Sequence, residues 1–151
     1  FLLSMPLLGT LILYRECAIF SRTLGALLGA GIPLIRALRV SREVISNSVL
    51  TGKLLQVEED VRGGAGLGIS LEKTNQFPTL LHQLVAVGEE SGRTSDILLK
   101  SAVTFDTYVR NQMSALVSAL QPALIIFLAI AVGGITITML SAVFSMNAVE
   151  F

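Results

Sequence analysis

The sequence predicts an all-α fold, an antiparallel cytoplasmic bundle of about six helices whose last helix continues as a transmembrane helix. Two observations support this prediction. Across a predicted bundle domain of residues 15–113, apolar residues recur every three or four positions, which is the spacing of one helix face. Charge is also divided unevenly, because all 11 Lys and Arg and all but one of the 11 Asp and Glu precede residue 111. The remainder therefore suits lipid better than water.

The chain opens with an apolar stretch, residues 1–14, that Pro6 and Gly9 interrupt. This stretch is shorter than the roughly 20 residues that a membrane-spanning helix needs, and it lacks the basic start of a signal peptide. We expect a membrane-proximal arm, either the exit of an upstream membrane helix or a segment lying along the bundle. Because the first residue is Phe rather than Met, we also expect the sequence to be a fragment of a longer chain.

The first bundle helix is predicted over residues 15–30. Gly25 and Gly29 are four positions apart, so they would share a face where another backbone could come close. Gly31 suits the left-handed position that ends a helix, and Pro33 suits the first position of the next helix. We therefore expect a sharp corner between two helices.

The second and third helices carry charged candidates for partner contacts. On the second helix the candidates lie on the outward face and are Arg36, Arg39 and Arg42. The third helix is predicted over Ser48–Arg62, and its last turns hold an acidic patch of Glu58, Glu59 and Asp60. Such a patch is usually a solvated face, although it could meet a basic partner.

A glycine-rich segment, residues 63–68, is predicted to be a loop because glycine disfavours helix. It does not resemble a phosphate-binding loop, since no Gly-Lys-Ser/Thr follows and no strand precedes it. Residues 70–76 are expected to form one short turn of helix. Phe77 and Pro78 would then start a fifth helix.

No residue pattern points to catalysis, a cofactor or a metal. The single cysteine, Cys17, excludes an internal disulfide and is expected to be a small buried apolar side chain. His82 has no second ligand at metal-binding spacing, so an ordinary surface histidine is expected. Nucleic acid is not an expected partner, because there is no basic surplus and aromatic residues are sparse.

A connection rich in glycine and acid, residues 88–94, leads into the last helix, and its candidate partner contacts are Gly88, Glu89, Glu90, Gly92 and Arg93. The favoured interpretation is a tight turn, with glycines that allow close contact and acids that prefer helix N-termini. A divalent-cation site using Glu89, Glu90 and Asp96 is the weaker alternative, because no loop supplies the six or so oxygens that calcium prefers.

The last helix is predicted over residues 95–146, with a transmembrane segment over residues 114–146. No charged residue lies between Arg110 and Glu150. At about 1.5 Å per residue, the apolar run over residues 116–140 would span roughly 37 Å, which exceeds the ~30 Å hydrocarbon core of a bilayer. A buried core helix of a large soluble protein is the alternative, but no second element of comparable length is predicted to cover it.

Packing within the membrane has its own candidates, namely Pro122, Gly133, Gly134 and Thr138. Small residues let helices approach closely, which favours a homo-oligomer, and membrane helices tolerate a proline kink. Lys100 and Arg110 precede the segment, whereas only Glu150 follows it. The positive-inside rule therefore places the bundle in the cytoplasm and the tail, residues 147–151, outside.

Three motifs resemble those of one known family. They are Phe20-Ser21-Arg22-Thr23-Leu24 running to Gly31-Ile32-Pro33-Leu34, then Phe77-Pro78 with Val87-Gly88-Glu89-Glu90-Ser91-Gly92-Arg93, and then Leu120-Gln121-Pro122 at the start of the apolar span. Together they resemble the F domain of type II secretion and type IV pilus systems, found in the inner-membrane platform proteins called GspF or PilC. The similarity extends over nearly the whole chain, which would be the C-terminal repeat of such a protein.

The resemblance implies a non-enzymatic protein of the bacterial inner membrane that uses no cofactor. Such a protein would couple a cytoplasmic hexameric ATPase to the insertion or extraction of pilin or pseudopilin subunits, together with other inner-membrane assembly proteins. A passive membrane anchor or channel-type subunit is one alternative, although no intramembrane charge favours a conducting path. A membrane enzyme using Glu89, Glu90 or His82 is another, although no nucleophile and base pair supports it.

Overall fold

A computed structural model of the protein describes residues 6–148, and this part of the chain contains six α-helices and no strand. The helices are α1 (Pro6–Gly29), α2 (Leu34–Glu43), α3 (Ser48–Arg62), α4 (Leu67–Lys73), α5 (Thr79–Ser91) and α6 (Thr94–Ala148). The all-α prediction with six helices is confirmed. The chain divides into two compact units, one up to Arg110 and one from Asn111.

The first helix is longer than predicted. α1 begins at Pro6, so the expected helix start at residue 15 is wrong, and residues 6–14 continue into the same helix. The first five residues of the predicted arm and the last three of the predicted tail lie outside the described residues. That the arm lies near a membrane stays a prediction.

The predicted corner after α1 is present. Gly31 is left-handed, with φ of 81°. The N–H of Ile32 donates to the carbonyl of Leu27 (3.1 Å), and that of Gly31 donates to Leu28 (3.0 Å), which is the Schellman pattern of helix termination. From the sequence, Pro33 is expected to be the first residue of α2. Its ψ of 143° is not helical, so Pro33 is the N-cap and α2 begins at Leu34.

The core of the first unit forms where α1 packs against the start of α6. The Oγ of Ser95 donates to the carbonyl of Gly25 (2.7 Å), and a Cβ added at Gly25 would lie 3.1 Å from the Cβ of Leu98. The close backbone approach predicted at Gly25 and Gly29 is therefore confirmed at Gly25, whereas a Cβ added at Gly29 would meet only the side chain of Ser95, with its Oγ at 2.8 Å. At the other end of the contact, the Tyr14 ring stacks on that of Tyr108 with centroids 4.3 Å apart. α1 thus runs antiparallel to this part of α6.

Around this contact lies a single apolar core to which all six helices or their connections contribute. Its largest fully buried side chains include Phe20, Leu24, Leu38, Leu54, Leu67, Leu71, Leu81, Leu98 and Phe105. Arg22 on α1 and Asp106 on α6 form an ion pair beside it. The core contains only residues that precede the second unit.

The second unit, taken by itself, is a single apolar helix segment. From Asn111 to Ala148 every residue of α6 is exposed except Gln112 and Gly133, which are half-buried. The most apolar 18-residue window of α6 has a mean hydropathy of 2.6, and none of it is buried. Pro122 lies within the helix without ending it. By length and composition, α6 could cross a membrane.

Candidate functional site

The turn between α5 and α6 depends on two glycines, one that ends α5 and one that lets the start of α6 approach closely. Gly92 has φ of 68°, and the N–H of Arg93 donates to the carbonyl of Gly88 (2.9 Å), so α5 ends in the same pattern as α1. A Cβ added at Gly88 would lie 2.9 Å from the Cα of Thr94. The predicted tight turn is confirmed, and only glycine fits at position 88 without moving the start of α6.

Glu89 reaches from this turn to a different helix. Its Oε1 accepts the N–H of Leu67 (2.6 Å) and its Oε2 accepts the N–H of Gly68 (3.0 Å), at the first turn of α4. The N-cap of α4 is Gly66, which has no side chain to satisfy those donors. Glu89 therefore caps α4 from α5, and its negative charge lies at the positive end of the α4 dipole.

A close backbone contact brings α4 within reach of this carboxylate. A Cβ added at Gly68 would lie 2.9 Å from the Cβ of Ala86 and 2.9 Å from the carbonyl oxygen of His82, both on α5. Leu67 and Gly68 are helical, so the predicted loop over residues 63–68 is wrong at its end, and the short helix begins three residues before the predicted residue 70. The cap from Glu89 explains why a glycine-rich segment starts a helix here.

Two of the three acidic residues considered as cation ligands, Glu89 and Asp96, have structural partners. Both oxygens of Glu89 accept backbone N–H groups, and Asp96 pairs with Arg93 at 3.5 Å. Across residues 6–148, no three His, Cys, Asp or Glu side chains are grouped so that they could hold a metal ion. Glu90, Gly92 and Arg93 are exposed. The exposed residues of the turn are thus available to a partner, and Glu89, which is also exposed, is held in place by its bonds to α4.

A cleft of about 320 Å³ adjoins the turn, and its lining residues are Leu28, Leu34, Leu67, Glu89, Gly92, Thr94 and Ser95. They come from the corner between α1 and α2, the start of α4 and the turn between α5 and α6. These segments lie far apart in sequence, and the folded bundle brings them together.

The two charged candidate groups on α2 and α3 meet each other. The Glu58 carboxylate lies within ion-pair distance of Arg62 (2.9 Å), Arg39 (3.4 Å) and Arg42 (3.5 Å), and its side chain is only 4% exposed. We refer to these four residues as the Glu58 cluster. The expected solvated acidic patch is wrong for Glu58, because α2 supplies arginines that cover it.

The remaining charged candidates stay at the surface. Glu59 is exposed, Asp60 is half-buried, and Arg36 is exposed one turn before Arg39 on α2. Within the described residues none of these three forms an ion pair. The structure therefore separates the predicted acidic patch into one buried carboxylate and two outer ones.

Cys17 and His82 have no arrangement that suggests chemistry. Cys17 is fully buried, and burial, with a smaller effect of Glu16, raises the pKa of its thiol to about 12. The thiol therefore stays protonated near neutral pH, which agrees with the predicted apolar role. His82 is half-buried rather than fully at the surface, since its helix lies against Gly68.

Comparison with known proteins identifies the family of this chain. The family model for type II secretion system (T2SS), protein F, matches residues 20–142, which include the end of α1, all of α2–α5 and most of α6. The chain belongs to the type II secretion system protein F family. The resemblance inferred from the three motifs is confirmed.

Relatives of this family member include both secretion and pilus proteins. Type II secretion system protein F of Pseudomonas aeruginosa is 34% identical over 147 residues, which cover 97% of this chain and 36% of the relative. The protein F of Xanthomonas campestris pv. campestris is 40% identical over 121 residues, covering 80% and 30%. Type IV pilus assembly protein TapC of Aeromonas hydrophila is 31% identical over 147 residues, covering 97% and 36%. The chain spans about a third of the length of these relatives.

In this protein F family member, the candidate packing residues of α6 lie on an apolar helix segment whose two threonine hydroxyls bond to its own backbone. Thr138 donates its hydroxyl to the carbonyl of Gly134 (2.8 Å), and Thr136 donates to Val132 (2.9 Å). Such bonds keep the hydroxyl paired, and an unpaired hydroxyl is energetically unfavourable in hydrocarbon. A Cβ added at Gly133 or Gly134 would meet nothing within 4 Å.

Proposed function

We propose that the protein belongs to the inner-membrane platform of a type II secretion or type IV pilus machine. In this role it couples a cytoplasmic hexameric ATPase to the insertion or extraction of pilin or pseudopilin subunits. Family membership supports the assignment to such a machine, because the relatives are protein F of secretion systems and TapC of a pilus system. The apolar part of α6 supports the membrane location.

The coupling proposal rests on one observation, that the two ends of α6 have different surroundings. Its first turns supply Leu98 and Phe105 to the buried core of the first unit. From Leu116 onwards the same helix exposes apolar side chains. A helix that belongs to both a folded bundle and an apolar segment is the minimum that mechanical coupling through the membrane requires. In the proposed topology, residues 15–113 are cytoplasmic, residues 114–146 span the membrane, and the tail from residue 147 lies outside.

The proposed partner surfaces lie at the 88–94 turn and on α2 and α3. The exposed candidates are Arg36, Arg39, Glu59, Glu89, Glu90, Gly92 and Arg93, and the half-buried ones are Arg42 and Asp60. Gly88 and Glu58 are buried beneath them and hold the turn and the arginines in place. Within the membrane we propose that Pro122, Gly133, Gly134 and Thr138 contact other helices, including those of a second copy.

A one-residue insertion tests the coupling. One alanine between Arg110 and Asn111 turns everything after it by about 100° about the helix axis. We expect secretion or piliation to be abolished in cells that depend on this protein, while the bundle stays folded. The measurements are a secretion or piliation assay and limited proteolysis of the first unit.

The matched control places the same alanine between Ser145 and Met146, which leaves α6 in register up to residue 145. This variant should assemble normally. Normal secretion or piliation with the insertion at Arg110 would contradict mechanical coupling and favour a passive membrane anchor.

A further inference from the structure

The Glu58 cluster carries more positive charge than its own carboxylate can neutralise. Three guanidinium groups surround one carboxylate, so the formal charge of the cluster is +2, although the whole chain has a net charge of zero. One arginine in fork geometry is enough to pair a buried carboxylate. The second and third arginines add mutual repulsion, so burial of Glu58 does not by itself explain them.

Most hydrogen-bond donors of the cluster have no acceptor within the described part of the protein. Each guanidinium carries five N–H groups. Within the described residues, the three arginines make three hydrogen bonds, all to Oε1 of Glu58, and the two from Arg39 are long at 3.4 Å. Arg42 makes none, and its Nε and the Oε2 of Glu58 are both buried without a hydrogen-bond partner. The cluster is therefore rich in donors that an additional anion could use.

The donors are held where a partner can reach them. The side chains of Arg39 on α2 and Arg62 on α3 are 53% and 55% exposed, whereas Glu58 between them is 4% exposed. The carboxylate thus fixes two arginines from below and leaves their outer edges open. Fixed arginines lose less rotamer freedom when they bind an anion than free ones do.

The surrounding charges favour a protein partner over a lipid surface. Glu43 and Glu59 are exposed and Asp60 is half-buried on the same two helices. An anionic membrane responds to all charges within the ~10 Å screening length, so these acids would oppose it. A protein segment can place a carboxylate on the arginines and a basic side chain near the acids.

We propose that the Glu58 cluster docks an acidic segment of a protein partner, whose carboxylates bind the exposed guanidinium groups of Arg39 and Arg62. The proposal rests on the proposed function only in assigning that partner to the cytoplasmic side of the machine. Binding itself depends on the first unit and on the probe used below.

A titration of the purified full chain in detergent with a peptide of three glutamates followed by three lysines, at low ionic strength, tests the proposal. The double variant R39Q/R62Q should bind the peptide about tenfold more weakly than the unaltered chain, because two charge-assisted contacts are lost. R15Q is the matched control, because Arg15 is exposed and forms no ion pair within the described residues, and it should bind as the unaltered chain does.

Circular dichroism of each variant establishes that it is folded. If the double variant does not fold, the single variants R39Q and R62Q decide the matter, because each leaves Glu58 with two arginines. Equal peptide binding by these variants and the unaltered chain would overturn the proposal, as would no binding by the unaltered chain.

Dihexanoyl-phosphatidylglycerol in the same detergent provides the lipid comparison. A loss of lipid binding in R39Q/R62Q without a loss of peptide binding would assign the cluster to membrane headgroups and overturn the proposal. The titration uses purified protein, so its result does not depend on the α6 insertion experiment. Failure of either proposal can therefore be recognised separately.

Discussion

Glu89 lies on α5, yet both of its carboxylate oxygens bind the backbone of α4, 22 and 21 residues earlier in the chain. From the sequence, an acid in this motif is expected near a helix N-terminus. The N-terminus that Glu89 caps is that of α4. No local signal identifies that partner, because the pairing depends on the contact between Gly68 and α5.

Removal of this cap should weaken the bundle. We expect Glu89→Ala to lower the free energy of unfolding by about 1–2 kcal/mol, the usual effect of losing an N-terminal cap. Thermal and denaturant unfolding of the full chain in detergent, followed by circular dichroism, would measure it. Glu90→Ala is the control, because Glu90 is exposed and makes no hydrogen bond in the described part of the chain. Equal stability of the two variants would show that the cap is dispensable.

At the scale of helices, the connections depend on glycines that serve two purposes. Some end a helix in a left-handed conformation, as Gly31 does, and the sequence predicts these well because the requirement is local. Others let one helix approach another, as Gly88 and Gly68 do. Their partners become known only when the helices are packed, since the glycine itself does not specify which element comes close.

The close approach of α5 and α6 predicts a contrast between two glycines. Gly88→Ala should lower the free energy of unfolding by about 1–3 kcal/mol, because the new methyl group meets the backbone of Thr94 and neither side can yield freely. Gly52→Ala in α3 should raise it by about 0.5–1 kcal/mol, because nothing lies within 4 Å and alanine favours helix. Denaturant titrations of both variants measure the difference. A change of the same sign in both would contradict the packing described.

For the whole molecule, the division between a packed bundle and an exposed apolar helix segment has a direct consequence in water. The apolar side chains of the second unit are exposed, and apolar surface of this extent is unfavourable in a soluble monomer. Lipid or other apolar helices must cover it.

This division predicts two different behaviours during fractionation. The full chain should remain in the membrane fraction after alkaline carbonate washing, whereas a chain that ends at Arg110 should appear in the soluble fraction with its helical circular dichroism retained. Immunoblotting of the fractions and spectra of the purified truncated protein provide the measurements. A full chain that is monodisperse in buffer without detergent would contradict the membrane assignment.

The sequence by itself determined the helical class, the corner at Gly31, the turn at Gly92 and the apolar final segment. Each of these depends on residues within a few positions of one another, through helical periodicity, left-handed glycines or a continuous apolar run. Only the tertiary structure decided that Glu58 is buried beneath arginines of α2 and that Glu89 caps α4. These roles depend on contacts between residues about 20 positions apart, and such contacts form only when the helices pack.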